Sequence, residues 1–385
     1  MKKRFLKAVV SFIAAVSVAL SGCICAEAKT AQTSGKADKY ETAAVCVENM
    51  KIGWNIGNSL DSTGSWINKS DPKNFETAWG NPVITKELIH SVKESGFNAV
   101  RVPVTYLEKM DANGKVDEKW LARVKEVVDY VLAENMYCII NVHHDTGGGD
   151  EAWLRADSKM YKNGMSKKYA YLWEQIADYF KNYDEKLLFE GFNEILDKNS
   201  NWGGSNKDSY DTVNKLNQIF VDTVRKSGGN NAHRNIIVLT YGASSADSQV
   251  SGFKVPTDTA KDHLIAEVHI YDPSKFCNGE DKTWDSADEK AVDTIFERLN
   301  KKIITAQKVP MIVGEFGSQD KFNTNEYTAE RAKYASYIVK TAKKYGMTCF
   351  WWDDGGSMKL FDRSGAKPYC KPVIEALVSA ANGEK

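Results

Sequence analysis

Short apolar runs and longer amphipathic stretches alternate along the chain from about residue 50 to its end. The runs are rich in β-branched and aromatic residues and show little polar alternation, which is typical of parallel strands buried on both faces. Eight runs are predicted to be strands: 51–58, 98–104, 137–144, 187–194, 236–242, 264–272, 310–317 and 348–353.

The stretches between these runs have the pattern of helices that cover a sheet. Apolar residues recur at helical spacing in 120–132 and again in 213–224. Gly96, Gly228 and Gly346 each fall between a helical stretch and the next strand, where a glycine commonly ends a helix. The chain is therefore predicted to repeat a strand–helix unit.

Such repeated units, joined by right-handed crossovers, predict a single-domain (β/α)8 TIM barrel over residues 40–380. An open, doubly wound sheet is the alternative. It is disfavoured because no Gly-x-Gly-x-x-Gly motif follows the first predicted strand, where a dinucleotide-binding fold would carry it.

The composition is that of a globular protein and not of a disordered or coiled-coil chain. The 385 residues are 42% hydrophobic and 11% aromatic, which is enough for one sizeable core. The 51 basic and 51 acidic side chains balance overall, but residues 1–28 hold four basic residues against one acidic residue. Because the remainder is slightly acidic, we expect no nucleic-acid partner.

Residues 1–28 have the three-part pattern of a secretory signal peptide. Lys2-Lys3-Arg4 precedes an uncharged run at 8–20, and small residues follow, so cleavage is expected after Ala26 or Ala28. The apolar run is too short to span a bilayer as a stable helix, and no later segment is predicted to span one. A buried N-terminal helix is the alternative.

Leu20-Ser21-Gly22-Cys23 also resembles the lipobox of bacterial lipoproteins. In that case the leader is cleaved before Cys23, and the acylated cysteine anchors the protein to the cell surface. A polar segment, residues 29–39, then precedes the predicted barrel. The sequence thus predicts a secreted, extracellular protein or a cell-surface lipoprotein and leaves both open.

The seven cysteines form no recognisable framework. Two lie in the leader, which leaves an odd number, and there is no Cys-x-x-Cys pair. A disulfide scaffold or a zinc ribbon is therefore not expected. Cys138 and Cys349 lie in strand-like apolar runs and are predicted to be buried thiols.

Polar and aromatic residues gather where the predicted strands end, which is the edge at which barrel enzymes carry their chemistry. These residues are Asn58, Asp61, Arg101, His143, His144, Asn193, Glu194, His269, Tyr271, Glu315, Trp351 and Trp352. Each alone has a structural explanation, since Arg101 could neutralise a buried glutamate and a strand-end glutamate could form a structural ion pair. Their convergence on one rim favours a single active site.

Two strand-end carboxyl groups suit glycoside hydrolysis. One carboxyl group must donate a proton to the leaving oxygen, and the other must be ionised to attack or to activate water. Tryptophan rings offer flat apolar faces to pyranose rings. The tryptophans predicted to bind substrate are Trp66, Trp79, Trp153, Trp202, Trp284 and Trp352. Trp54, Trp120 and Trp173 are predicted to be core residues instead.

Eight short motifs follow one another along the predicted strands and their loops. They are Gly53-Trp54-Asn55-Ile56-Gly57-Asn58, Trp79-Gly80-Asn81-Pro82, Phe97-Asn98-Ala99-Val100-Arg101-Val102-Pro103-Val104, Asn141-Val142-His143-His144-Asp145, Phe189-Glu190-Gly191-Phe192-Asn193-Glu194, Val268-His269-Ile270-Tyr271, Gly314-Glu315-Phe316-Gly317 and Phe350-Trp351-Trp352-Asp353. In this order they resemble glycoside hydrolase family 5, and within it the bacterial endoglucanases, over about residues 50–375.

The resemblance implies a retaining, endo-acting β-glycanase that hydrolyses internal β-1,4-glucosidic bonds of a β-glucan polysaccharide. It implies Glu194 as the acid/base and Glu315 as the nucleophile, with their carboxyl groups about 5–5.5 Å apart. Around them it implies a set of catalytic residues, namely Arg101, His143, Asn193, His269 and Tyr271. At the same rim Asn58, Asp61 and His144 are predicted to bind substrate.

Two positions depart from the family pattern. Ile195 follows the acid/base, where many members have proline, and Asp354 stands where this branch usually has asparagine. Neither change removes a catalytic group.

Several alternatives stay open at this point. A xyloglucanase, β-mannanase or xylanase on the same site is the first, because fold alone cannot separate these activities. A non-catalytic glycan-binding barrel is the second, although both strand-end glutamates are present. No metal site is expected at His143 and His144, because neighbouring residues of a regular strand point to opposite faces. We expect a monomer without a cofactor.

Overall fold

The computed structural model of the protein describes residues 40–149 and 151–384. Within these residues, eight parallel strands pair in chain order and close into a barrel. They are β1 (Ile52–Ile56), β2 (Ala99–Val102), β3 (Tyr137–Asn141), β4 (Leu187–Glu190), β5 (Ile236–Ser244), β6 (Leu264–Ile270), β7 (Met311–Phe316) and β8 (Thr348–Asp353). Each predicted segment overlaps one of them, β5 extending two residues beyond its segment, and the predicted (β/α)8 TIM barrel is confirmed. The predicted leader and the polar segment 29–39 lie outside the described residues.

Helices cover the outside of the barrel and connect its strands. They are α1 (Ala43–Met50), α2 (Lys73–Thr77), α3 (Lys86–Glu94), α4 (Glu118–Ala133), α5 (Ser158–Met160), α6 (Ser166–Phe180), α7 (Lys207–Lys226), α8 (Asp247–Gly252), α9 (Ser274–Cys277), α10 (Ser286–Leu299), α11 (Asn325–Lys344) and α12 (Lys371–Asn382). A short antiparallel hairpin, β9 (Phe361–Asp362) with β10 (Lys367–Pro368), follows β8. None of the helices in the described ranges is long and apolar enough for a transmembrane span.

The ends of the helices follow from local sequence. The side chains of Thr85 and Thr324 accept backbone N–H groups in the first turns of α3 and α11. Gly96, Gly228 and Gly346 have φ angles of 98°, 69° and 72°, so they occupy the positive-φ region predicted for them. Glycine reaches this region without a steric penalty, and the chain can turn from a helix into the next strand.

The core lies inside the barrel and between the barrel and its helices. Trp54, Trp120 and Trp173 are buried there, as predicted. The described cysteines are free, buried thiols, which confirms the prediction for Cys138 and Cys349.

The seam between β1 and β8 is closed by Asp353, at the end of β8. Its carboxylate accepts hydrogen bonds from Trp54 Nε1 at 3.1 Å, Leu360 N at 2.7 Å and Arg363 Nη2 at 2.9 Å. Arg363 also donates to the carbonyl oxygen of Gly57 at 2.8 Å. The buried ion pair between Asp353 and Arg363 therefore connects β8 to β1 and to the loop that follows β1.

We expect Asp353→Ala to lower the free energy of unfolding by about 3–5 kcal/mol, because it leaves Arg363 buried and unpaired. The measurement is urea denaturation followed by tryptophan fluorescence. The control is Asp211→Ala, which removes an exposed pair with Lys207 and should cost less than about 1 kcal/mol. Equal effects of the two variants would contradict this account of the seam.

Candidate active site

Arg101 forms the floor of the site. It lies on β2, is fully buried, and binds both carboxylate oxygens of Glu190 on β4, at 2.6 Å from Nε and 2.8 Å from Nη2. Its remaining N–H groups donate to Asn55 at 2.9 Å, to Glu315 at 2.7 Å and to Asn193 at 2.9 Å. The fork of this arginine thus fixes side chains from three strands and from the loop after β4.

Glu315, near the end of β7, is held as an anion. Arg101 Nη1 donates to its Oε1 at 2.7 Å, and the Tyr271 hydroxyl donates to its Oε2 at 2.8 Å. Burial acts to raise the pKa of this carboxyl, but the positive charges of His269 and Arg101 and the two hydrogen bonds outweigh burial and lower it. Such a carboxylate is suited to nucleophilic attack.

Glu194 faces Glu315 across the barrel mouth and is hydrogen-bonded to His269. Its Oε1 lies 2.8 Å from His269 Nδ1, which lies 3.5 Å from Glu315 Oε2. Burial alone would lower the pKa of His269, but the surrounding carboxylates, Glu315 first among them, raise it to about 10. An oxygen of Glu194 lies within 4.8 Å of an oxygen of Glu315. Glu194 is the more exposed of the two side chains, with 21% against 6%.

His143, His144, Trp79 and Trp352 form one wall of the site. His143 stacks on Trp352 with a centroid distance of 5.8 Å and an interplanar angle of 4°, and Trp79 lies 5.4 Å from His144. Gly57 makes this wall possible, since a Cβ atom there would lie 2.5 Å from the Trp352 ring.

The expectation that His143 and His144 point to opposite faces is wrong. β3 ends at Asn141, so both histidines lie in the following loop and not in a regular strand. Their rings meet edge to face at 4.5 Å. Asn141 Nδ2 lies 3.1 Å from His143 Nδ1 and helps to orient this ring.

Two groups of side chains have donor atoms close enough for a cation: Asp61 with His143 and His144, and Glu194 with His269 and Glu315. In both groups the carboxylates are already engaged. The Asp61 oxygens accept the backbone N–H groups of Asn58 and Ser59, at 3.0 Å and 2.6 Å. Glu315 and Glu194 pair with the cations and hydroxyl described above.

Asn58 and Asp61 lie in the loop after β1 and differ in access. Asn58 is half-buried and has a positive φ of 55°. Asp61 is fully buried, and its carboxylate is used to fold this loop, so the prediction that it contacts substrate is wrong. Asp61 instead lies 3.7 Å from His144 Nε2, where it can orient that ring.

The tryptophans predicted to bind substrate differ in how far they are exposed. Trp66 and Trp202 are 69% and 54% exposed, on the loops after β1 and β4. Trp153 is half-buried, donates to Asp145 at 2.6 Å and has Lys168 over its ring at 4.1 Å.

Trp284 was predicted to bind substrate, and this prediction is wrong. The residue is only 6% exposed and packs against Phe276 and Tyr334, with centroid distances of 5.3 Å and 5.2 Å. Its loop folds outward onto α11, so the ring belongs to the layer between barrel and helices.

Sequence reasoning assigned no role to four buried polar residues beneath the site, namely Asn55, Asn141, Glu190 and Glu267. All four lie inside strands. A charged or amide side chain in an otherwise apolar buried strand was the available signal, because such groups are buried only with partners.

The sequence matches the family described as Cellulase (glycosyl hydrolase family 5) over residues 60–357. It is 36% identical to Endoglucanase A of Clostridium longisporum over 89% of this chain, and it covers 66% of that protein. It is 35% identical to Endoglucanase A of Ruminococcus albus, over 88% of this chain and 93% of that protein.

Solved structures show the same similarity. A variant of a glycoside hydrolase family 5 enzyme from Prevotella bryantii, in complex with a xyloglucan tetradecasaccharide, superposes with a TM-score of 0.84 at 40% identity, covering 89% of this chain and 99% of that one. A broad-specificity endoglucanase from Ruminococcus champanellensis with bound cellotriose gives a TM-score of 0.81 at 35% identity, covering 88% and 98%.

Tyr271→Phe is expected to raise the pKa of Glu315, because a hydrogen bond to the ionised form is lost. Carboxyl ¹³C NMR of glutamate-labelled protein measures this, with Glu315→Gln identifying the signal. The control is Tyr130→Phe, which removes a hydroxyl that donates to Glu126 far from this site. A Glu315 titration that is unchanged or moves to lower pH in Tyr271→Phe would refute this account.

Proposed function

The chain belongs to glycoside hydrolase family 5, as its motifs predicted, and we propose that it is a retaining, endo-acting enzyme that cleaves internal β-1,4-glucosidic bonds of cellulose or related β-glucans. The observation that carries the proposal is the pair formed by Glu194 and Glu315, whose closest oxygens lie within 4.8 Å. A separation of this order suits direct attack by a carboxylate, whereas inverting enzymes leave about 6.5–9.5 Å for a water molecule.

In the first step, Glu315 attacks the anomeric carbon and Glu194 gives its proton to the leaving glycosidic oxygen. The bond to the leaving sugar breaks as the bond to the Glu315 carboxylate forms, which yields a covalent glycosyl-enzyme. Arg101 and Tyr271 keep Glu315 ionised until that point.

In the second step, Glu194 acts as a base. It takes a proton from water, the water oxygen bonds to the anomeric carbon, and the Glu315 carboxylate leaves. Two displacements at one carbon restore its original configuration. The enzyme returns to its starting protonation state without any further reactant.

Neighbouring side chains position the sugar at the point of cleavage. Asn193 Oδ1 accepts from Arg101 Nη2 at 2.9 Å, which leaves its Nδ2 hydrogens for a sugar hydroxyl. A hydrogen bond of this kind to the 2-hydroxyl strengthens as the transition state forms. The half-buried Trp352, stacked on His143, offers an apolar ring face at the mouth.

The exposed rings of Trp66 and Trp202 support action within a polymer rather than at its end. They lie on loops after β1 and β4, and single exposed tryptophans are suited to stack on successive sugar rings. Together with Trp79 they provide for an open groove that binds several sugars on either side of the cleaved bond.

A xyloglucanase is the second candidate, because one solved relative is a family 5 enzyme bound to a xyloglucan tetradecasaccharide. Other relatives carry names that include lichenase and broad-specificity endoglucanase. Initial rates on carboxymethylcellulose, mixed-linkage β-glucan, xyloglucan, xylan and mannan separate these activities.

The leader supports a further part of the proposal, namely action outside the cytoplasm. The signal-peptide pattern of residues 1–28 fits an enzyme whose substrate is a polymer too large to enter a cell. Acylation at Cys23 is the alternative end of the mature chain, and it would keep the enzyme at the cell surface.

The two glutamates should respond differently to truncation. Glu315→Ala should be almost inactive on polymers and on activated aryl glycosides, because no nucleophile remains. Glu194→Ala should still be glycosylated by an aryl glycoside with a good leaving group, and azide should restore turnover and give a β-glycosyl azide. Initial rates and product NMR measure both effects.

Glu87→Ala, at an exposed position on α3, is the control and should keep wild-type activity. With the wild type, proton NMR should detect the β-anomer first. An α-anomer as the first product would mean inversion and would remove Glu315 as nucleophile.

Trp66→Ala and Trp202→Ala should each raise KM for a polymer by about fivefold or more, since stacking of a ring is worth about 1 kcal/mol or more. The kcat/KM for a short aryl cellobioside should stay within about twofold, because it does not reach these loops. Tyr179→Ala, at an exposed ring on α6, is the control. Unchanged KM for every polymer would contradict the groove.

A further inference from the structure

Glu267 is a buried carboxyl group that the proposed reaction leaves without a role. It lies in the middle of β6, fully buried, two residues before His269. Its Oε1 lies 3.2 Å from His269 Nε2, and its Oε2 has no hydrogen-bond partner among the described residues. A buried carboxylate is strongly disfavoured unless a specific partner compensates its charge.

Arg101 is near, but it is already saturated. Its Nε lies 3.7 Å from Glu267 Oε1, beyond hydrogen-bond distance. The five N–H groups of the guanidinium are donated twice to Glu190 and once each to Asn55, Glu315 and Asn193. The hydrogen bond of Glu267 is therefore made to His269 and not to the arginine.

The neighbouring strand leaves space for this carboxyl group. A Cβ atom at Gly314, on β7, would lie 1.6 Å from Glu267 Oε1. Any larger residue at Gly314 would have to displace the carboxyl from His269. The position of Glu267 is thus set by the backbone of β7 as well as by its own strand.

His269 connects Glu267 to the proposed acid/base. Its Nδ1 lies 2.8 Å from Glu194 Oε1, while its Nε2 faces Glu267. Each of these two hydrogen bonds contains one proton. Whether the first proton rests on Glu194 or on Nδ1, the ring carries a proton on Nε2, because an imidazole that accepts at Nδ1 and an imidazolium both have an Nε2–H group. That arrangement needs an acceptor at Nε2.

We propose that Glu267 is a positioning residue that accepts from His269 Nε2 and so keeps one working proton in the hydrogen bond between His269 Nδ1 and Glu194 before the first step. The inference rests on the proposed function, because it assigns a role relative to the acid in that reaction. Glu267 itself exchanges no atom with substrate. When Glu194 regains a proton from water in the second step, the same arrangement is restored.

Several charged or titratable groups face this pair: Arg101 from β2, His143 after β3, Glu190 and Glu194 on and after β4, Tyr271 after β6 and Glu315 on β7. Burial, and then the positive charges of neighbours, lower the pKa of His143, so it stays neutral. Burial, and then Glu315, raise the pKa of Tyr271, which keeps its proton.

The charge of Glu267 can change in the neutral range. Burial, and then the charge of Glu190, raise the pKa of Glu267 to about 7, against the opposing effects of Arg101 and His269. A pH profile is therefore a direct readout of the proposed role.

The test variant is Glu267→Gln, which keeps the shape and an oxygen acceptor but removes the negative charge. Without this charge the shared proton is lost more easily, so the alkaline limb of the kcat/KM profile should move down by about one pH unit. The loss should also depend on the leaving group. A phenyl β-cellobioside, which needs the acid, should lose about tenfold in kcat/KM, and a dinitrophenyl β-cellobioside less than about threefold.

Glu76→Gln is the matched control. Glu76 is also fully buried, but it pairs with Arg123 between α2 and α4, so its variant should keep the wild-type profile and leaving-group dependence. An unchanged alkaline limb in Glu267→Gln, or equal losses on both glycosides, would overturn the inference while leaving the proposed function intact. Failure of the wild type on both glycosides would instead count against the proposed function.

A second measurement needs no activity and does not depend on the folding of Glu267→Gln. Imidazole ¹⁵N NMR of histidine-labelled wild-type protein, with His269→Asn to identify the signals, should show a protonated Nε2 at neutral pH. A bare Nε2 would overturn the inference. If circular dichroism shows that Glu267→Gln is unfolded, the NMR result for His269 Nε2 alone decides whether the inference holds.

Discussion

A single buried cation, Arg101, determines the layout of the active site. A guanidinium that is removed from water must find acceptors for all of its N–H groups, and here they come from β1, β4, β7 and the loop after β4. Because the fork is planar and rigid, each acceptor is held at one place and angle. The ionisation of Glu315 and the orientation of Asn193 thus depend on the same side chain.

Glu190 and Glu267 are both glutamates in buried strands, but they differ in their partners because all five N–H groups of Arg101 are donated to residues other than Glu267. Glu190 is bound twice by Arg101 and once by Asn141 Nδ2 at 2.9 Å, so it serves the floor of the site. Glu267 receives none of these donors and faces His269 instead. Because the N–H groups of Arg101 are donated to Glu190 and not to Glu267, the two carboxyl groups have different hydrogen-bond partners and different chemistry.

The sequence was sufficient for the barrel, the family and the endoglucanase type of glycoside hydrolase, all of which are confirmed. Buried parallel strands have a strong apolar signal, and strand ends in a barrel converge whatever their loops do. Loop side chains have no such constraint. Trp284 turned outward onto helices, and β3 ended at Asn141, three residues before the end of the segment predicted for it, which placed two histidines side by side.

The thiols of the barrel have a consequence for where it can mature. Cys46, Cys138, Cys277, Cys349 and Cys370 are free and buried, and burial raises the pKa of each thiol, so the reactive thiolate is suppressed. None of the contacts that close the barrel or build its site is a covalent bond between sulfurs in the described residues. The fold of the described residues therefore requires neither disulfide formation nor an oxidising compartment.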